Sequence, residues 1–294
     1  MNYSLFSRFQ GCLWGMALGE CFSSYAVPSL SLPQEQFSPP AHGYYTPVAL
    51  RLLAAMIAAQ TWKPTMLDRS EIKSLSKENL TDAALAIASL PVMLFYHDDL
   101  NRQRQALGQI AAGLQQDNQS REWVTIFAYA VSQALKGHLD PNTFVDQSQA
   151  YMRVTTSDAA TALEEVLEQL EQIKRGYCSL EQTAQLTNPI AIAIACFLHT
   201  PYHFPLALLR VSQISAASPS INALTGALSG AYNSSIGIPA TWQLPQTLNP
   251  ISSPEPIHAL AAQLLAAWSG VYVPSKLSNT DPLPVAAPWV VHFP

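Results

Sequence analysis

Charge is what this chain has least of. Only 12% of its 294 residues are Asp, Glu, Lys or Arg, about half of the roughly 25% usual in soluble domains. Neutral polar residues and 22 prolines fill the gap. A surface of this kind costs less to desolvate than a charged one, which suits a standing protein contact. The formal charge of −5 and pI near 5.8 give no basic field for a phosphate backbone, and the longest basic grouping is Lys174-Arg175. Electrostatic binding of nucleic acid is excluded on that ground.

Other absences narrow the field further. The four cysteines, Cys12, Cys21, Cys178 and Cys196, show no C-x-x-C spacing, and no basic-then-apolar leader opens the chain. A cytoplasmic protein with reduced thiols is expected, Cys12 and Cys196 being small core residues. Pro189 to Leu198 is apolar for about ten residues before His199-Thr-Pro-Tyr-His203 interrupts it, short of the roughly 18 a membrane span needs. It is expected to be a buried helix. No Gly-x-Ser-x-Gly elbow and no phosphate-binding Gly-x-x-x-x-Gly-Lys loop is present, which leaves the common hydrolase and nucleotide-triphosphate chemistries without support. Two long stretches, Gln36 to Leu67 and Phe204 to Trp242, contain no Asp or Glu at all.

What is present is helical periodicity. Gly11, Gly15 and Gly19 recur every fourth residue between Ser7 and Cys21. Each costs an isolated helix about 1 kcal/mol relative to Ala, so another helix must approach this face closely. Thr46-Pro47 reads as an N-cap followed by proline at the first helical position, with Val48, Leu52, Ala55, Met56 and Ala59 at helical spacing. Further helices are expected over Glu71 to His97, Asn101 to Leu114, Glu122 to Leu135, Asp158 to Gly176, Pro205 to Ile214, Ser220 to Tyr232 and Pro256 to Ser269. The five prolines and glycines between residues 25 and 46 predict a long surface loop. No segment alternates as a strand would, so the fold class is all-α.

Four motifs in order carry a family resemblance. Arg8 to Glu20 is an opening helix ending Gly19-Glu20. Gly43-Tyr-Tyr-Thr46 precedes the next helix. Ala83-Ala-Leu-Ala-Ile-Ala-Ser-Leu-Pro91 is the third, and Ser215 to Tyr232 followed by Ile238-Pro-Ala-Thr-Trp242 is the fourth. Together, over residues 5 to 242, they resemble the ADP-ribosylglycohydrolase family of the dinitrogenase reductase activating type. The resemblance implies a compact orthogonal multi-helix bundle and a cleft that holds two Mg²⁺ or Mn²⁺ ions on aspartates.

Those aspartates are replaced. The family's Gly-Gly-Asp-x-Asp-Thr loop falls on Ser215-Ala-Ala-Ser-Pro-Ser220, and its Thr-Asp-Asp-Thr loop on Gly43 to Thr46. Glu20 stands for the opening helix's aspartate, and Ala83, Ala84 and Ala88 stand for the third motif's Asn, Gly and Arg. Neutral hydroxyls hold hard divalent ions poorly, so the two ions are predicted absent and no catalytic residue is assigned. The remnant cleft is expected to consist of Glu20, His42, Tyr44, Tyr45, Thr46, Ser218 and Ser220, with the tyrosines filling the metal space or stacking on a bound ring.

The resemblance and its losses together predict a catalytically inactive relative that serves as a binding, regulatory or assembly module, with a protein partner and a possible ADP-ribose or nucleotide ligand. The alternative is a diverged ADP-ribosyl or nucleotide glycohydrolase using Glu20 or Asp98 as base without the usual metal pair. His97-Asp98-Asp99 reads as a solvated helix terminus, and His199 with His203, separated by Pro201, as loop packing. One helical domain is expected over residues 1–250, with a C-terminal helix and proline-rich tail over 251–294 packed on it or extending from it. Pro288 to Pro294 is the candidate docking peptide.

Overall fold

A computed structural model describes residues 3–22, 45–67, 82–155, 160–176, 183–214, 218–243 and 254–270. Among them there are eleven α-helices, three short 3-10 turns and no strand. The helices are α1 (Leu5–Phe22), α2 (Tyr45–Ala59), α3 (Asp82–Phe95), α4 (Leu100–Gly113), α5 (Asn118–Lys136) and α6 (Phe144–Thr155), then α7 (Ala160–Gly176), α8 (Pro189–His199), α9 (Phe204–Ile214), α10 (Pro219–Asn233) and α11 (Pro254–Ser269). The all-α expectation holds. The loop expected before residue 45 and the first half of the Glu71–His97 helix fall outside the described residues. Helix α6 has no counterpart in the periodicity reading.

The centre is the pair α1 and α10, the most extensive helix contact in the molecule. Gly11 faces Gly230, Gly15 faces Gly226 and Gly19 faces Asn222. One series ascends while the other descends, so the helices run antiparallel. A Cβ on Gly15 would lie 2.0 Å from the Gly226 carbonyl oxygen, and one on Gly226 would lie 2.0 Å from that of Gly15. Only glycine permits backbones this close, and the glycine face read from residues 11, 15 and 19 thereby gains its partner. Helix α10 is buried along nearly its whole length, with α8, α9, α5 and α3 packed around it.

Two polar ties fix the helix ends around this core. The buried Arg8 guanidinium donates through Nη1 to the carbonyls of Ala134 (2.5 Å), Ala231 (3.4 Å) and Tyr232 (3.4 Å). A cation thus sits where α5 and α10 end, against the negative poles of both helices. At the opposite polarity, Asp82 at the start of α3 accepts from Ser120 Oγ in the first turn of α5 and from Asn188 Nδ2, whose Oδ1 in turn accepts the Ile190 N–H at the start of α8. Three helix N-termini are joined by one carboxylate.

Helix α11 packs on α1 and α2, burying Ile257, Ala261 and Leu264. Near its first turn His258 Nδ1 lies 3.2 Å from Gln10 Nε2, and its ring meets Phe6 edge-on. In its last turn the Trp268 indole N–H donates to Asp98 Oδ2 at 3.0 Å, and its ring lies 5.3 Å from that of His97. Asp98 is therefore not merely solvated as expected, because it anchors the last helix. Asp99 caps α4, accepting the Arg102 N–H.

His97 is 2% exposed, between Phe9 and Trp268, with Nδ1 3.0 Å from the Leu94 carbonyl. Burial lowers its pKa from the ordinary 6.5, with Asp98 and the Leu94 hydrogen bond opposing. The unfolded chain takes up that proton near pH 6.5 and the folded chain does so only at lower pH. The stability present above pH 6.5 therefore declines as pH falls through the window below it. Urea midpoints at pH 7.5 and 5.5 should differ in that sense, and the difference should shrink in His97→Phe. An unchanged difference in the variant would assign the acid sensitivity to other groups.

Candidate functional site

The end of α1, the start of α2 and the start of α10 meet at one place, and there Glu20 decides the chemistry. Its side chain is 4% exposed. Oε1 accepts the Tyr45 N–H at 2.8 Å, while Oε2 accepts the Thr46 N–H at 2.8 Å and the Thr46 Oγ1 hydroxyl at 2.7 Å. The first N–H groups of a helix have no partner within it and carry partial positive charge. Glu20 thus caps α2 from another helix, 25 residues earlier in the chain. This corrects the expected cap. Helix α2 starts at Tyr45, and Thr46 lies inside its first turn as a donor to the carboxylate.

Tyr45 is half-buried, and its phenol hydrogen-bonds Ser220. Burial pushes the phenol pKa up, the Ser220 hydrogen bond works against that, and the neighbouring Glu20 charge adds to the rise. The phenol is protonated at neutral pH. Ser218 opens α10 without a side-chain cap bond, its Oγ lying 3.3 Å from that of Ser220. Of the seven expected cleft residues, Glu20, Tyr45 and Thr46 are in direct contact, and Ser220 and Ser218 continue from Tyr45. His42 and Tyr44 lie outside the described residues, as do residues 215–217.

This donor set does not suit a pair of hard divalent ions. Pro219 offers no side-chain oxygen, Tyr45 is a neutral phenol tied to Ser220, and both Glu20 oxygens accept helix donors. Among the described residues no three His, Cys, Asp or Glu side chains gather as metal ligands. Hard cations need anionic oxygens turned toward them. Ala83, Ala84 and Ala88 are fully buried in α3 and carry no side-chain oxygen or nitrogen for an ion.

Asn222 is the residue that sequence reasoning missed. It lies in the first turns of α10, opposite Gly19, is 0% exposed, and among the described residues neither Oδ1 nor Nδ2 has a hydrogen-bond partner. A signal was there: positions 222, 226 and 230 repeat the spacing of 11, 15 and 19, and only 222 is not glycine. An orphaned buried amide costs about 1–3 kcal/mol, and Asn is also a weaker helix former than Ala. Asn222→Ala should therefore raise the stability by about 1–2 kcal/mol, read as a higher urea midpoint. A lower midpoint would mean that the amide is satisfied by ordered solvent.

The ADP-ribosylglycohydrolase family model matches residues 34–273. The chain belongs to the ADP-ribosylglycohydrolase family. Among solved structures it is similar to an "ADP-ribosylglycohydrolase-related protein complex", with a TM-score of 0.64 and 14% identity over 90% of this chain and 99% of the other. At that identity the likeness establishes the fold. No curated protein matches by sequence. The family match runs beyond Trp242 through α11, so the C-terminal helix, expected to lie outside the resemblance, is part of this ADP-ribosylglycohydrolase-type chain. It begins after α1, and Glu20 therefore lies outside the matched segment.

Proposed function

We propose that this chain is a catalytically inactive member of the ADP-ribosylglycohydrolase family that works in the cytoplasm as a binding or regulatory module through a protein partner. The observation that carries this reading is the state of Glu20. With both oxygens accepting donors at the start of α2, the Glu20 carboxylate is engaged as a helix cap, and its neighbours Tyr45 and Ser220 are neutral side chains that hydrogen-bond each other. Both features support a structural role over ion binding or water activation. Asp98, the other candidate base, accepts the Trp268 indole N–H. The sparse surface charge adds support, since neutral polar groups are cheap to desolvate at a contact. Residues 1–250 and α11 form one working unit in this reading.

The test is release of ADP-ribose from an ADP-ribosylated protein by the purified chain, in Mn²⁺ and again in chelator, with calorimetric titration of free ADP-ribose alongside. No release under either condition is expected. Metal-dependent release, abolished by chelator, would overturn the proposal. In the titration, binding that is unchanged by chelator would identify ADP-ribose as the ligand of the module, and binding that requires Mn²⁺ would count against the reading of the site.

A further inference from the structure

A second concavity lies away from the Glu20 cluster and shares no residue with it. It has a volume of about 260 Å³ and is lined by Thr61, Trp62, Tyr96, Arg102, Gln105, Ala106 and Gln109. One wall is the turn that follows α2, with Tyr96 beside it. The other is a single face of α4, because residues 102, 105, 106 and 109 are separated by three, four and seven positions.

Several polar groups of this lining are already hydrogen-bonded before any ligand arrives. The Tyr96 phenol oxygen accepts the Trp62 backbone N–H at 3.0 Å and lies 3.2 Å from Thr61 Oγ1. The Trp62 indole N–H donates to Gln109 Oε1 at 3.0 Å. With its oxygen engaged, Gln109 has its –NH₂ left to offer as a donor. Arg102 is held through Nε, 3.2 Å from Asp99 Oδ2, which leaves the two terminal nitrogens of the fork for another acceptor. Asp99 itself is fixed as the N-cap of α4.

No carboxylate lines the cavity, and the lining is donor-rich: one guanidinium, two carboxamides, two hydroxyls and an indole. A guanidinium fork matches the oxygens of a phosphate, and carboxamides with hydroxyls match a polyol. The volume is below the roughly 300–1,000 Å³ typical of drug-sized ligands, which favours a monosaccharide-sized molecule over a dinucleotide.

We propose that this cavity is a binding site for a sugar phosphate, with the phosphate on Arg102 and the sugar hydroxyls on Gln105, Gln109 and Tyr96. The site is independent of the remnant cleft and requires neither metal nor catalysis. Tyr96 and Gln109, already tied through Trp62, lose little freedom on binding.

The probe is glucose 6-phosphate, titrated calorimetrically into the full-length chain, with glucose and inorganic phosphate as separate arms. One-to-one binding of the sugar phosphate is expected, at least about tenfold tighter than either fragment. Arg102→Gln should weaken it about tenfold or more, the worth of one charge-assisted hydrogen bond, and Gln109→Ala severalfold. The Arg102 side chain is exposed, so the thermal melt of Arg102→Gln should match that of the parent, whereas Gln109→Ala also removes the acceptor of the Trp62 indole N–H. Three results would overturn the proposal: no binding of glucose 6-phosphate, inorganic phosphate binding as tightly as the sugar phosphate, or affinity unchanged in Arg102→Gln with the fold intact.

Discussion

Gly15→Ala should lose on the order of 3 kcal/mol of stability or more, the upper end of what one added methyl does in a packed core. The new Cβ would lie 2.0 Å from the Gly226 carbonyl oxygen and 2.6 Å from its carbon. Backbone atoms cannot rotate away as a side chain can, so relief requires α1 and α10 to separate. That movement would loosen every helix packed around α10 and shift the α1 terminus that carries Glu20. With total stability of roughly 5–15 kcal/mol in typical domains, the loss is a large share. Gly226→Ala should behave alike, since its Cβ meets the Gly15 oxygen at the same 2.0 Å. Gly108 in α4 is the control. Nothing lies within 4 Å of a Cβ there, so Gly108→Ala should gain up to about 1 kcal/mol from helix propensity. Urea midpoints of the three variants decide the matter, and a Gly15→Ala midpoint equal to the parent's would refute the close-contact account.

The glycine contact also shows how far the sequence is legible. A four-residue glycine repeat requires a close neighbour for physical reasons, and that much follows from residues 11, 15 and 19 alone. Which helix answers it depends on a match with residues 222, 226 and 230, more than two hundred positions away. Periodicity in the same way located α5, α8 and α10, because their burial follows from local apolar spacing. It missed α6, and it started α2 two residues late, because the cap on α2 comes from α1 and not from the adjoining chain. Arg8, Asp82 and Asp98 were opaque for the same reason. Each acts on a distant helix end, and nothing in its own neighbourhood announces that. The proposed loss of metal ligands rests on two acid-free stretches, Gln36 to Leu67 and Phe204 to Trp242, which supply no carboxylate. What Glu20 does was not readable, because its carboxylate acts on the start of another helix, 25 residues further along the chain.

The reach of the Glu20 side chain sets the second large expectation. The Glu20 side chain reaches the Tyr45 and Thr46 donors at 2.8, 2.8 and 2.7 Å, and in the proposed correspondence with the family's aspartate the extra methylene supplies that reach. Glu20→Ala leaves the start of α2 without its carboxylate partner and should cost about 2–4 kcal/mol, combining the loss of a cap with that of buried charge-assisted hydrogen bonds. Glu20→Gln should recover only part of this, because its oxygen can accept the two Thr46 donors while its –NH₂ then faces the Tyr45 N–H and leaves that amide without an acceptor. Glu20→Asp is the discriminating variant. If reach is what matters, the shorter carboxylate fails to span the gap, and the Tyr45 and Thr46 amides lose protection from hydrogen exchange while the charge is unchanged. If Glu20 instead acted through its charge alone, Asp would serve as well as Glu, and both amides would exchange at the parent rate. Protection lost in Asp, Gln and Ala alike would place Glu20 as a structural cap that needs both the charge and the length of its side chain.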